Sequence, residues 1–142
     1  MTEVPQIDEQ KLNRYVANVK SEAKFVLIEH AERLYVRFGA DLYIDGKLDM
    51  NDMRDHISIA WAFSKELERS RIIENRNDLD IQRQHRGGGK IKIYGEDSGQ
   101  DGKRKVEFCG YSESFGPFNH ELLQRVLDES TSSTFEYMIC SV

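Results

Sequence analysis

The feature that most constrains the fold is a change of hydrophobic period at the glycine run Gly87–Gly89. Before the run, apolar residues recur at steps of three and four, which is typical of amphipathic helices. After it, apolar and polar residues alternate, which is typical of strands with one buried face. The sequence therefore predicts one α+β domain over residues 1–142, with a helical part over about 8–75 and a sheet-forming part over about 89–142.

The first helical segment is predicted over residues 8–38, which contain neither Gly nor Pro. Asp8 is a suitable N-cap, and Gly39 can form the left-handed stop just past the end. The pattern fits one long helix, or two helices broken near Ser21.

A second helix is predicted to begin at Asp49 or Asn51 and to end near Arg71. Between the two helical segments, Asp45-Gly46 allows a tight turn with a short pair of strands. Other strands are predicted only beyond Gly89, and the polar residues 74–89 are predicted to be a connector.

The sheet-forming part begins with a predicted antiparallel hairpin that joins residues 90–94 to residues 105–109. Its alternation places four apolar side chains toward the core, namely Ile91, Ile93, Val106 and Phe108. A third helix is predicted after Pro117 and Asn119, and a final strand over residues 134–140. Together these elements predict a small three-stranded sheet covered by helices.

Composition is that of a globular protein without a membrane span. Leu, Ile, Val and Phe number 10, 11, 8 and 7, which suffices for a packed core. No apolar run approaches the length of a transmembrane helix, and the N-terminal residues lack the features of a signal peptide. Cys109 and Cys140 lie in apolar segments and are predicted to be buried free thiols. These observations predict a cytoplasmic protein that does not bind membranes.

One basic segment stands out against an acidic chain of net charge −5. Residues 81–105 hold seven basic and three acidic side chains, which gives a segment charge of +4. The predicted hairpin places Lys90, Lys92 and Tyr94 on its outer face, and Lys103 and Lys105 join them if the register is symmetrical. Such a face could hold phosphates, with Tyr94 stacking on a base, or it could be a solvated sheet face. The predicted binding residues are Arg83, Arg86, Lys90, Lys92, Tyr94, Lys103 and Lys105.

The residues between the first two predicted helices resemble a degenerate calcium loop of the EF-hand type. Asp41, Asp45, Asp49 and Asp52 occupy positions 1, 5, 9 and 12 of that loop. Tyr43 and the short Asp52 depart from the pattern, because they remove ligand oxygens at positions 3 and 12. The alternative is a tight turn at Asp45-Gly46 followed by a helix cap.

No constellation in the sequence favours catalysis. The spacings typical of zinc sites and of nucleophile elbows are missing, and the four histidines lie in separate segments. The sequence therefore predicts no cofactor and no catalytic residue, and an enzyme would need a site assembled from distant segments.

These features favour a small non-catalytic interaction protein, such as a regulator, inhibitor or adaptor. It would bind a larger macromolecule, namely another protein, through the basic outer face of the hairpin 90–109. A nucleotide or nucleic-acid phosphate binder that uses the same face is one alternative. An enzyme with a dispersed site and a weak calcium binder that uses residues 41–52 are the others.

Overall fold

A computed structural model describes residues 4–140. The helices are α1 (Glu9–Ala17), α2 (His56–Arg69), α3 (Ile81–Gln84) and α4 (His120–Glu129), with 3₁₀ turns at Arg76–Asp78 and Gln100–Gly102. The strands are β1 (Glu22–His30), β2 (Arg33–Gly39), β3 (Tyr43–Ile44), β4 (Lys47–Leu48), β5 (His85–Ile93), β6 (Arg104–Cys109), β7 (Tyr111–Ser112), β8 (Gly116–Pro117) and β9 (Phe135–Ile139).

The main sheet has seven strands and curls into a half-barrel, with β2-β1-β5-β6-β9 in that order along its path. The pairs β2–β1, β1–β5 and β5–β6 are antiparallel, whereas β6–β9 is parallel. The short strands β7 and β8 pair with each other, and β8 also pairs with β5. The predicted small three-stranded sheet with two N-terminal helices is therefore wrong, although the α+β class holds.

The error lies in residues 22–39, which form the antiparallel strands β1 and β2 rather than a helix. Phe25, Val26, Leu27 and Ile28 are all fully buried, because helices cover both faces of the sheet at this point. A strand that is buried on both faces has no polar alternation, so its apolar spacing also fits a helix. The turn between the strands uses positive φ at Ala31 and Glu32, which are residues without a turn signature.

Two other boundaries differ from the prediction for local reasons. Helix α2 begins at His56 rather than near Asp49 or Asn51, because Asp55 accepts a hydrogen bond from the Ile57 N–H as its N-cap. The glycine run 87–89 belongs to β5 and is not a connector.

The elements predicted beyond the glycine run are confirmed. In the β5–β6 hairpin, Ile91 lies opposite Phe108 and Ile93 opposite Val106, and all four are buried. Helix α4 begins after Asn119, whose side chain accepts from the Leu122 N–H. The final strand is β9, and the short pair around Asp45-Gly46 is β3–β4.

The sheet separates two apolar cores. On one face, odd-numbered residues of β1 such as Phe25 pack with Phe108 and with the α4 residue Leu123. On the other face, Val26 and Ile28 pack with Phe63 and further apolar residues of α2. Alternate residues of β1 therefore belong to the two different cores, which makes β1 the central strand of the molecule.

A buried ion pair holds α2 against β2. Arg37 is only 4% exposed. Its guanidinium donates to both carboxylate oxygens of Glu66 in α2, at 2.8 and 2.9 Å. The same side chain donates to the carbonyls of Pro5 and Gln6, which run beside the edge of β2. A bidentate contact of this kind fixes orientation as well as distance.

A second buried contact joins α1 to the loop before α2. The Tyr15 hydroxyl donates to Asp52 Oδ1 at 2.7 Å, and both residues are fully buried. The same oxygen accepts from the Ala40 N–H at 3.2 Å and lies 3.6 Å from Lys11 Nζ. Burial and the neighbouring Asp52 carboxylate raise the pKa of Tyr15 far above its usual value, so the hydroxyl remains a donor.

We expect Tyr15→Phe to lower the free energy of unfolding by about 1.5–3 kcal/mol, because it leaves a buried carboxylate with one donor fewer. Urea unfolding measures the change. The control is Tyr43→Phe, since Tyr43 is 60% exposed, and its effect should stay within about 0.5 kcal/mol. Equal effects of the two variants would contradict the role given to the Tyr15 hydroxyl.

Candidate functional site

Helix α2 covers only part of its face of the sheet and leaves the other part open. It packs chiefly against β1 and β2 and reaches β5 near its first residue, His56. The outward side chains of β5 beyond Gly89, of β6, of β9 and of the start of β1 lie beside the helix and are exposed or partly exposed. We call this uncovered part the open face. Its members are Glu22, Lys24, Lys90, Lys92, Tyr94, Lys105, Glu107, Cys109, Glu136, Met138 and Cys140.

Two lysines lie directly opposite each other on the open face. Lys24 of β1 is the cross-strand partner of Lys90 of β5, which in turn is opposite Cys109 of β6. Neither lysine forms an ion pair or a hydrogen bond with the described residues 4–140. Like charges placed directly opposite each other destabilise a sheet. An anion bound between Lys24 and Lys90 would therefore reduce their mutual repulsion.

The next rows of the open face are internally balanced. Lys92 lies between Glu22 and Glu107, and Lys105 Nζ lies 3.8 Å from Glu107. The Tyr94 hydroxyl donates to Glu107 at 3.1 Å. The ammonium groups of Lys92 and Lys105 lie 5.2 and 4.7 Å from the Tyr94 ring centroid. Tyr94 therefore contacts one carboxylate and two ammonium groups of the same face.

His56 lies at the border between α2 and the open face. It is the first residue of α2 and is 5% exposed. Its Nε2 lies 2.9 Å from the carbonyl oxygen of Gly89. Because a carbonyl only accepts, Nε2 carries the proton, and the neutral ring keeps a lone pair on Nδ1. Nδ1 has no hydrogen-bond partner within residues 4–140.

The surroundings of His56 keep its ring neutral. Burial is the main cause that lowers its pKa below the usual value. The positive charges of Lys24 and Lys90 lower it further, while the Gly89 carbonyl and Asp55 oppose the shift. His56 packs on Gly88 and Gly89, and the pair Lys24–Lys90 forms the next cross-strand row on the same face, which places these three residues in one site.

Close packing at Gly88 sets the position of the His56 ring. A Cβ on Gly88 would lie 2.5 Å from the carbonyl oxygen of Phe25, 3.1 Å from His56 Cδ2 and 3.4 Å from Ser112 Cβ. The glycine therefore allows α2 and β7 to approach the same point of β5. Ser112 is buried there, and its Oγ accepts from the Phe115 N–H at 3.0 Å.

The structure brings some of the predicted binding residues together and separates others. Lys90, Lys92, Tyr94 and Lys105 share the open face as predicted from the alternation. Lys103 lies in the turn that precedes β6.

Two of the predicted arginines lie at the opposite end of β5 from the open face. Arg86 pairs with Glu29 at 3.0 Å, and Arg83 of α3 faces Asp80 at 3.6 Å. Arg86 precedes Lys90 by four positions along the strand, a distance of about 13 Å. The structure therefore does not bring these arginines to the lysine row.

The acidic residues of the calcium-like loop are directed to separate partners. Asp41 lies 3.5 Å from Arg54, Asp49 pairs with Arg14, and Asp52 is buried beneath α1. Asp45 and Gly46, with φ of 52° and 79°, form the turn of the β3–β4 hairpin. Within residues 4–140, no group of three or more His, Cys, Asp or Glu side chains is arranged to hold a metal ion. The geometry favours the tight turn over a calcium site.

The cysteines differ from the prediction of separate buried thiols. Cys109 at the end of β6 and Cys140 just after β9 are neighbours, with 5.6 Å between their Cα atoms, and they form a disulfide. Both residues are half-exposed on the open face. The parallel pairing of β6 with β9 brings them together, and neither the spacing nor the count of cysteines carried that information.

Two residues of the site, Lys24 and His56, are not predicted from the sequence. Lys24 fell inside the wrongly predicted helix, and its partner Lys90 lies far along the chain. A signal for Lys24 was present, since it precedes the run Phe25–Ile28, whose aromatic and β-branched residues are typical of strands. His56 carried no signal, because its partner is a main-chain carbonyl of the glycine run.

Fold and site together define a class: a small α+β protein whose curled sheet leaves one basic face open beside a buried neutral histidine. The chain belongs to the Janus/Ocnus family, whose model matches residues 9–137. That match runs from the first residue of α1 to Tyr137 within β9, so it includes the open face except for Met138 and Cys140. No curated protein sequence matches the chain. Across residues 4–140, no helix is long and apolar enough to cross a membrane.

The lowered pKa of His56 makes stability depend on pH. The unfolded state binds a proton on this ring more readily than the folded state does, so folding stability is present above the unfolded pKa and falls as the pH decreases below it. We expect His56→Gln to reduce the loss of unfolding free energy between pH 7.5 and 5, because glutamine does not titrate. Denaturant unfolding at several pH values measures this loss. The pKa of His85 is lowered as well, mainly by burial, so part of the slope remains in the variant. An unchanged slope would show that His56 is not held neutral.

Proposed function

We propose that this protein is a small interaction protein, of the regulator, inhibitor or adaptor type, that recognises a phosphate group on a larger macromolecule. The observation that carries the proposal is the cross-strand pair Lys24–Lys90, which has no acidic neighbour in its row and lies beside His56. Two ammonium groups match the double negative charge of a phosphate monoester, and their mutual repulsion is relieved when the anion binds.

The balance of charge on the open face favours a phosphorylated protein as the partner. The rows next to Lys24 and Lys90 contain Glu22 and Glu107. A nucleic-acid backbone repeats its charge at every nucleotide and would meet these carboxylates. A protein segment with a single phosphate meets the lysine pair alone, and its other side chains lie along the mixed rows.

The wider docking surface extends from this pair over the rest of the open face. Lys92, Tyr94 and Lys105 form its mixed part, and Lys103 lies at its margin. Arg83 and Arg86, at the other end of β5, would take part only with a partner large enough to reach beyond the edge of α2. Charged side chains at the margin of an interface act mostly on the rate at which the two partners associate.

We expect Lys24→Gln and Lys90→Gln each to weaken binding of a phosphorylated peptide by roughly 10- to 100-fold, the worth of one charge-assisted hydrogen bond. Calorimetry with the phosphorylated and unphosphorylated forms of the same peptide measures the effect. Lys47→Gln is the matched control, since Lys47 is an exposed lysine of the separate β3–β4 sheet. Equal affinity for both forms of the peptide would refute the proposal.

A second candidate function, hydrolysis of a bound phosphoryl group, is favoured by the fixed tautomer of His56. With Nε2–H held by the Gly89 carbonyl, Nδ1 is the atom that can take a proton from an attacking water. Lys24 and Lys90 would meanwhile neutralise the phosphoryl oxygens. This arrangement is a site assembled from β1, α2 and β5, the kind of enzyme site that the sequence left open.

For this second function we expect slow release of p-nitrophenol from p-nitrophenyl phosphate by the native protein. His56→Gln should reduce the rate by about 10²- to 10⁴-fold through loss of the general base. The glutamine amide can still donate to the Gly89 carbonyl, so phosphate affinity should stay within a few-fold of native. Native turnover at the background rate would reject hydrolysis of this ester while leaving phosphate recognition intact.

A further inference from the structure

The disulfide between Cys109 and Cys140 occupies an unusual place for a structural cross-link. Both residues lie on the open face rather than in either core, and both are half-exposed. By contrast, the adjacent Phe108, which points to the opposite face, is fully buried. Gly110, which follows Cys109, is exposed.

The backbone holds the two cysteines together without help from their sulfurs. Strands β6 and β9 pair from Arg104–Phe135 to Phe108–Ile139, and the Cys140 N–H donates to the Phe108 carbonyl at 3.0 Å. The Cα separation of 5.6 Å lies within the range that a disulfide requires. The bond can therefore open and close without a rearrangement of the sheet.

The cysteines also continue the row of unpaired lysines. Lys90 is the cross-strand partner of Cys109, and Lys24 is the partner of Lys90. Glu107 is the nearest opposing charge, with an oxygen 3.7 Å from Cys109 Sγ. A small anionic disulfide such as oxidised glutathione would therefore approach Cys109 from the side of Lys90 and Lys24, where the charge is positive, and not from the side of Glu107.

We propose that Cys109 and Cys140 form a thiol–disulfide exchange site whose redox partner is a small anionic disulfide of the glutathione type. In the oxidising direction, one cysteine thiolate attacks a sulfur of oxidised glutathione, forms a mixed disulfide and releases one glutathione thiolate. The second cysteine thiolate then attacks the protein sulfur of the mixed disulfide and releases the second glutathione. Two protein thiols are oxidised to one disulfide, one glutathione disulfide is reduced to two thiols, and the two protons leave with the products.

The site is tested by equilibrating the full chain with glutathione buffers from fully reduced to fully oxidised, and then trapping free thiols with N-ethylmaleimide. Mass spectrometry should show a shift from two labels to none as the oxidised fraction rises, while the circular dichroism spectrum stays native. Two labels at every ratio would show that the bond does not form. No label in excess reduced glutathione, except after denaturation, would show an inert structural bond. Either result overturns the proposal.

Two variants make the test specific. In Cys140→Ser, oxidised glutathione should leave Cys109 as a stable mixed disulfide, because no second thiol resolves it. Lys90→Gln should slow oxidation by glutathione disulfide a few-fold but leave oxidation by the uncharged hydroxyethyl disulfide unchanged. Equal oxidation rates for native protein and Lys90→Gln with both reagents would contradict the proposal that the lysines attract the anionic disulfide.

Discussion

The burial of β1 on both faces is the constraint on which the rest of the structure depends. Phe25 and Leu27 supply one core and Val26 and Ile28 supply the other, so helices must cover both sides of this strand. The covering helix α2 then sits over β1 and β2, where Arg37 and Glu66 fix its orientation. Because a single helix is too narrow for a curled sheet of this width, β5, β6 and β9 keep one face uncovered.

The candidate site follows from where α2 begins. Its first residue, His56, reaches the central strands at the point where Gly88 leaves room for a ring. Burial and two lysines keep that ring neutral, and the Gly89 carbonyl fixes its tautomer. The ring is therefore unprotonated near neutral pH and keeps a lone pair on Nδ1, and the two lysines lie in the next cross-strand row. The contacts that pack the start of α2 onto β5 therefore also position the residues of the candidate site.

The sequence correctly predicts the helices and strands that bury one face and expose the other to solvent. The hairpin β5–β6, helix α4 and strand β9 were found from alternation and capping alone, together with the outward direction of Lys90, Lys92 and Lys105. Strands β1 and β2 were missed because double burial removes the alternation that distinguishes a strand from a helix. Lys24 was lost with them, and His56 and the cysteine pair depend on contacts between segments that are distant in the chain.

The order of strands in the sheet also bears on how the chain reaches this structure. Tyr137 of β9 donates to Glu9 of α1 at 2.6 Å across 128 residues of sequence, and β1 pairs with β5 only after α2 and α3 have intervened. Contacts of such long range slow folding, because loop closure costs entropy before any contact is gained. Until β9 docks, β6 is an edge strand with unpaired backbone groups, which is the type of surface through which partly folded chains associate. The attachment of β9 therefore closes the backbone edge of β6 as well as completing the sheet.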